Sequence, residues 1–185
     1  MNSPLFKLID EAYPEAVRLR RAIHANPELS GREFETARLV YAYLSGLGLA
    51  PRYYAGKTGV AARLVNGQGK TVVLRADMDA LPIEEKNAVS FRSRKKGVMH
   101  ACGHDMHTAC LLAAARVLLG VKGKWKGTIV VLFQPSEEQA PGGALSMIRE
   151  GAFPAHVDAV FGLHVSTDHA TGRVGLKPGG DYSGV

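Results

Sequence analysis

Four short segments of this sequence carry the residue types that bind transition metals or move protons. The stretch His100-Ala101-Cys102-Gly103-His104-Asp105 offers a thiol, imidazoles and a carboxylate close together. Asp77 and Asp79 follow the apolar run KTVVLRA, Glu137 and Glu138 follow TIVVLFQP, and His164 closes VDAVFGL. Sulfur, imidazole nitrogen and one or two carboxylates suit zinc, manganese, cobalt or nickel in preference to calcium or magnesium. No CxxC pair is present, which favours an open, catalytic site over a closed structural one. If residues 102–104 are extended, Cys102 and His104 project to the same side, because side chains alternate along a strand. The adjacent acids Glu137 and Glu138 invite a division of labour. One carboxylate binds metal, and the other takes a proton from water and passes it to a leaving amine.

The elements that must position these groups are legible in the hydrophobic pattern. Residues 5–25 place Leu5, Leu8, Ile9, Ala12, Ala16, Leu19 and Ile23 at helical spacing, and Pro27 stops the run. Ser30 followed by Glu33 reads as a capping box for a second amphipathic helix, closed by Gly48. GVAARLV and KTVVLRA, joined through Asn66-Gly67-Gln68-Gly69, read as a β-hairpin. A helix is expected from about Asp105 to Leu119, with Gly120 as its stop signal. GTIVVLFQP has the continuous apolar character of a strand buried on both faces. Residues 143–150 are helical in pattern, Val157 to Val165 form a further strand, and GRVGLKPGG holds one more possible strand. The succession predicts an α/β fold, a mixed sheet flanked by helices. In such sheets ligands bind beyond the carboxyl ends of the strands, where here three successive strands end in acids or a histidine.

The length of 185 residues, 46% of them hydrophobic, fits one domain. No apolar run approaches the roughly 20 residues that cross a bilayer, and MNSPLFKLIDEAYPEA is unlike a signal peptide, so a cytoplasmic protein with no membrane partner is expected. The net charge of +6 is dispersed, apart from Arg92, Arg94, Lys95 and Lys96 and the alternating Lys122, Lys124 and Lys126. Without interleaved aromatic residues, these basic groups read as solvated loops and not as a nucleic-acid site. Cys102 and Cys110 cannot make a disulfide framework.

Other titratable residues have plainer readings. His24, beside Arg20 and Arg21, reads as a surface or packing histidine, and Cys110 as a small buried hydrophobe. His107, one turn after His104, either supports a ligand or packs the helix, and Asp77 either joins the site or pairs locally with Arg75. His156 and His169 read as loop residues. A different chemistry is also open, in which Cys102 is a covalent nucleophile and His104 its base.

The segments LRADMDALP, HACGHDMHTA, FQPSEE and GLHV resemble the motifs of the M20 metallopeptidase family, more narrowly its aminoacylase, hippurate hydrolase and indoleacetyl-amino-acid hydrolase branch. The resemblance runs from RRAIHANPELSGREFET to KPGG, nearly the whole chain. It implies a zinc-peptidase-like catalytic domain that hydrolyses the amide bond of N-acyl amino acids or dipeptides with two divalent transition-metal ions. It further implies that Cys102, His104, Glu138 and His164 bind metal, with Cys102 as the bridge. Glu137 is then the general base, and Asp79 orients a ligand from behind. Members of the family continue through a smaller lid or dimerisation domain and bring a further histidine. The expectation is therefore that residues 1–185 are the N-terminal part of a catalytic domain, with the lid domain that a homo-oligomer needs lying outside it. The alternative is an inactive or partner-dependent fragment that binds metal without turnover.

Overall fold

A computed structural model describes residues 3–175 of the chain. Helix α1 (Pro4–Ala25) begins with Ser3 as its cap and ends before Pro27, as the apolar spacing requires. Helix α2 (Phe34–Gly46) follows, then strands β1 (Arg52–Tyr54), β2 (Gly59–Asn66) and β3 (Thr71–Asp77). After a long loop come helix α3 (His104–Gly120), strand β4 (Gly127–Gln134), helix α4 (Gly143–Arg149) and strand β5 (Ala159–Gly162). The possible strand in GRVGLKPGG falls largely outside the described residues.

The five strands form one mixed sheet in the order β1-β2-β4-β3-β5. β3 runs parallel to both β4 and β5, while β2 is antiparallel to β4. The expected hairpin between β2 and β3 is therefore incorrect, since β4 lies between them. Residues 67–70 need only bridge two strand spacings, roughly 10 Å, which four residues do with ease. What decides the central place is the apolar character of β4 on both faces. Val131 and Phe133 join one core with Val60, Ala62 and Leu64 of β2, Ala76 of β3, and residues of α2 and α3. Val130 and Leu132 join the other core with Tyr54, Ala61, Val73 and Met147. Only a strand covered on both sides gains from such a sequence. Helices α2 and α3 thus cover one face with α1 packed on α3, and α4 covers the other.

The capping box is also a correction. Glu33 occupies the cap position of α2 but makes no side-chain cap bond, and Ser30 donates elsewhere. Glu28 does the capping instead, accepting from the amides of Glu35 (3.2 Å) and Thr36 (2.8 Å) and from the Thr36 hydroxyl (2.9 Å). A carboxylate there also faces the positive end of the helix. Cys110, expected inside, is exposed on α3 one turn beyond the exposed Met106, because the helix buries only the faces turned to α1 and the sheet.

Candidate metal centre

The parallel strands bring their carboxyl ends to one edge. Asp77 at the end of β3 is in register with Gln134 at the end of β4, and Arg75 with Gly162 at the end of β5. Asp79, Glu137 and Glu138, and His164 each stand two to four residues beyond those ends, so the chain delivers them to a common rim.

The segment HACGHD reaches the same rim from the start of α3. Residues 102–104 are not extended, as alternation would need. Gly103 adopts φ +88 and ψ 15 and is the cap from which α3 begins. This left-handed turn, and not strand alternation, brings the Cys102 thiol and the His104 ring together. Val165 also packs over the turn, so a Cβ on Gly103 would run into Val165 Cγ2. Gly103→Ala therefore faces both a left-handed backbone, costing about 1–2 kcal/mol, and a steric overlap. The expected result is a fall in melting temperature of at least ~2–4 °C with weaker metal binding, measured by thermal unfolding and metal titration. An unchanged transition would show that the turn tolerates a side chain.

His104 is fully buried and held by its δ nitrogen, which lies 3.3 Å from Asp79 Oδ1. The other Asp79 oxygen accepts from Ser30 Oγ at 2.7 Å and from the Glu138 amide at 2.9 Å. Burial opposes ionisation of Asp79, but these bonds outweigh it and hold its carboxyl well below the usual range. An ionised Asp79 fixes the His104 proton on Nδ1, leaving Nε2 to face the rim. That Nε2 has no hydrogen-bond partner among the described residues. It looks towards Glu138 Oε1 at 3.6 Å, Asp77 Oδ2 at 3.7 Å and Glu137 Oε2 at 3.9 Å. Burial disfavours protonation of the ring, yet the bond to Asp79 and the surrounding carboxylates raise its pKa above the ordinary value. A buried imidazole nitrogen aimed at a cluster of acids is a donor set that fits a cation.

Cys102 Sγ lies 3.4 Å from His164 Nε2. The donor atoms of Cys102, His104 and His164 form one group within 4.8 Å, and those of His104, Glu137 and Glu138 form another. The two groups share His104. Burial and then the carboxylate of Glu138 push the Cys102 thiol up to about 12, the reverse of what a nucleophilic thiol requires. A divalent cation among the same residues would reverse that field. The thiol-nucleophile reading therefore has no support here, while a sulfur, nitrogen and oxygen donor set fits a transition metal. A third grouping, Asp77, His104 and His107, is geometrically close but chemically committed. Asp77 is bonded to His107 Nδ1 (2.6 Å) and to Arg75 Nη1 (2.6 Å), and His107 Nε2 to the Val165 amide (2.9 Å). The local pairing of Asp77 with Arg75 and the packing position of His107 are thus both present. Glu137 and Glu138 open the site outward, their side chains 40% and 22% exposed while His104 is closed off.

Several supporting residues escaped the sequence reading. His24 is buried rather than turned to water, with Nδ1 2.7 Å from Asp105 Oδ2 and Nε2 3.1 Å from Glu85 Oε1. Arg20 Nε reaches the same Asp105 oxygen at 2.8 Å. The bond to Asp105 raises the His24 pKa, so the network joins α1 to the first turn of α3 just behind His104. Glu33 accepts from the Ser136 amide at 2.7 Å and pins the loop that carries Glu137. The only sequence signal for these was the acid and histidine content of the run from His24 to Glu33. His100 is buried but joins none of the three donor groups, and His156 and His169 are exposed loop residues as expected.

Comparison with known proteins gives the family. The model of peptidase family M20/M25/M40 matches residues 73–182. The chain is 44% identical over 174 residues to an N-acyl-L-amino acid amidohydrolase of Geobacillus stearothermophilus, covering 94% of this chain and 47% of that protein. It is 48% identical over 166 residues to an N-acetyl-L-cysteine deacetylase of Bacillus subtilis, covering 89% of this chain and 39% of the relative. A crystal structure of a dinuclear metal-binding peptidase of the M20 family from Bacillus subtilis superposes with TM-score 0.80 at 37% identity, over 86% of this chain and 45% of that one. The chain thus spans less than half the length of these relatives. With the sheet, the donor-bearing strand ends and the family match in agreement, the chain belongs to peptidase family M20/M25/M40.

Proposed function

We propose that this chain carries the metal-binding machinery of an amidohydrolase acting on N-acyl amino acids or dipeptides. The observation that carries the reading is the unpartnered Nε2 of buried His104, facing Glu137 and Glu138 and sharing its ring with the Cys102 and His164 group. In this reading Cys102, His104, Glu138 and His164 would hold the divalent transition-metal ions of the site. Zinc, manganese, cobalt and nickel all suit these donors. When bound, such ions supply Lewis acidity, which makes water a nucleophile near neutral pH and polarises an amide carbonyl.

The chain's own residues do the rest. Asp79 fixes the tautomer of His104 and, through the Glu138 amide, the placement of Glu138. Glu137, the more exposed of the two acids, takes the proton of the attacking water and delivers it to the departing amine. The substrate class rests on the relatives, whose names include N-acyl-L-amino acid amidohydrolase, N-acetyl-L-cysteine deacetylase and thermostable carboxypeptidase. We read residues 1–185 as the N-terminal part of the catalytic domain, a reading supported by the half-length coverage. No helix among the described residues is long and apolar enough to cross a membrane. Two cysteines left unpaired fit a reducing compartment, on which ground we place the protein in the cytoplasm.

The test is a steady-state assay with hippurate and N-acetyl amino acids, on a polypeptide that carries this chain at the length of its relatives. Hydrolysis is expected to vanish on chelation and to return with added zinc, manganese or cobalt. Activity that survives chelation but not alkylation would replace this reading with thiol chemistry. Metal binding by the 185-residue chain without turnover would favour the fragment reading for this chain.

A further inference from the structure

His107 contributes no free nitrogen to a metal, yet both its nitrogens are committed in a way that bears on a donor. Its ring and the Asp77 side chain are almost wholly buried, each 1% exposed. Nδ1 of the ring lies 2.6 Å from Asp77 Oδ1, and it carries the ring hydrogen because Nε2 is taken as an acceptor. On the far side of the ring, Nε2 lies 2.9 Å from the backbone nitrogen of Val165. An amide can only donate, so Nε2 must accept. The two bonds together admit a single tautomer, which reads from Asp77 through the ring into the backbone next to His164.

That backbone needs holding. β5 ends at Gly162, so His164 stands beyond the last residue paired with β3. Its Nδ1 lies 2.6 Å from the carbonyl oxygen of Val165, a bond within the same short segment. The rings of His107 and His164 meet edge to face with centroids 4.7 Å apart. Val165 is thus fixed on two sides, its side chain over Gly103 and its amide on His107.

We propose that His107 is a positioning residue: the Asp77 and His107 pair straps the Val165 amide to α3 and so sets His164 Nε2 opposite Cys102 Sγ. The proposal rests on the reading of His164 as a metal donor. It assigns the work to one acceptor atom, His107 Nε2, and not to the bulk or burial of the ring. Arg75 supports the pair from behind, binding the second oxygen of Asp77 at 2.6 Å.

Two substitutions separate the two ends of the ring. The amide of His107→Asn reaches to where Nδ1 stands and keeps the bond to Asp77, but nothing then meets Val165. The longer His107→Gln carries an amide oxygen to where Nε2 stands and can accept from Val165. Zinc and manganese titrations of the 185-residue chain by calorimetry are the readout, with thermal unfolding of the metal-free proteins alongside. His107→Asn is expected to weaken metal affinity by about 10- to 100-fold, the usual effect of losing an outer support, and His107→Gln is expected to restore it. Val165→Pro removes the donated hydrogen with α3 untouched, and is expected to match His107→Asn, which keeps the idea testable should the asparagine variant fail to fold. Wild-type affinity in His107→Asn, or an equal loss in His107→Gln, would overturn the strap. His164→Ala is the control for the underlying reading. If it leaves metal affinity unchanged, His164 is no donor and both ideas fall, whereas a loss in His164→Ala with none in His107→Asn and Val165→Pro removes the strap alone.

Discussion

Replacing Cys102 by serine together with His104 by alanine is expected to strip the chain of most of its bound transition metal. His104 is the one residue shared by the two donor groups, and its buried Nε2 has no hydrogen-bond partner among the described residues. Cys102 is the one sulfur donor of these groups among the described residues, 3.4 Å from His164. What remains is one exposed imidazole and two carboxylates at an open edge, a set that a hydrated ion has little reason to prefer over water. Supports behind a ligand already cost about 10–100-fold in affinity when lost, so the ligands themselves should cost at least ~100-fold. Metal analysis after dialysis checks this, and unchanged content would show that the ion sits elsewhere. Asp79 keeps Ser30 and the Glu138 amide as partners in the double variant, so the loss should not come from unfolding. The pH dependence has a definite sign. Metal and proton compete for the same His104 and Cys102 atoms, and the pKa of each is raised. Affinity is therefore expected to fall as pH falls, and for His104 to begin falling at higher pH than for a free imidazole.

The candidate donors could be read before the fold because their chemistry is local. Cys102 and His104 are two residues apart, Glu137 and Glu138 adjacent, and both sets follow or precede strongly patterned elements. The helices were legible for the same reason, since the period of α1 from Leu5 to Ile23 is a property of the segment itself. Strand partners were not, because pairing is decided by which residues far along the chain need covering. The Asn66 to Gly69 turn looked like a hairpin until β4 took the place between β2 and β3, drawn there by apolar residues on both its faces.

The same distinction separates the candidate donors from their supports. His24 meets Asp105 across 81 residues of sequence, Glu33 meets Ser136 across 103, and His107 meets Val165 across 58. Spacing cannot reveal such bonds. For His24 the pattern left a surface or a packing place open, since a polar helix residue close after Arg20 and Arg21 ordinarily faces water, and the bonds to Asp105 and Glu85 decide for burial. Cys102 and His104 converge as expected, but through a left-handed glycine whose need for φ +88 no periodicity encodes.

The adjacent acids give the sharpest expected contrast. Glu137→Gln should abolish turnover while metal stays bound, and Glu138→Ala should lose metal. The carboxylates lie 3.9 and 3.6 Å from His104 Nε2, so distance alone barely separates them. Their settings do. The Glu138 amide is bonded to Asp79, the same carboxylate that orients His104, which locks its backbone to the ligand set. Its side chain is also the more buried, as suits a group held by an ion. Glu137 is 40% exposed and reaches the open side of the rim, where water and the substrate amide must arrive. Glutamine keeps the size of Glu137 and its capacity to accept a hydrogen bond, but it cannot take a proton at neutral pH. A general base contributes about 10² to 10⁴ in rate, and that is the expected loss. The measurement is kcat for an N-acetyl amino acid in a polypeptide of the relatives' length, paired with metal content for each variant. Loss of metal in Glu137→Gln, with metal kept but turnover gone in Glu138→Ala, would exchange the two roles. Retention of both activity and metal in both variants would remove these acids from the mechanism.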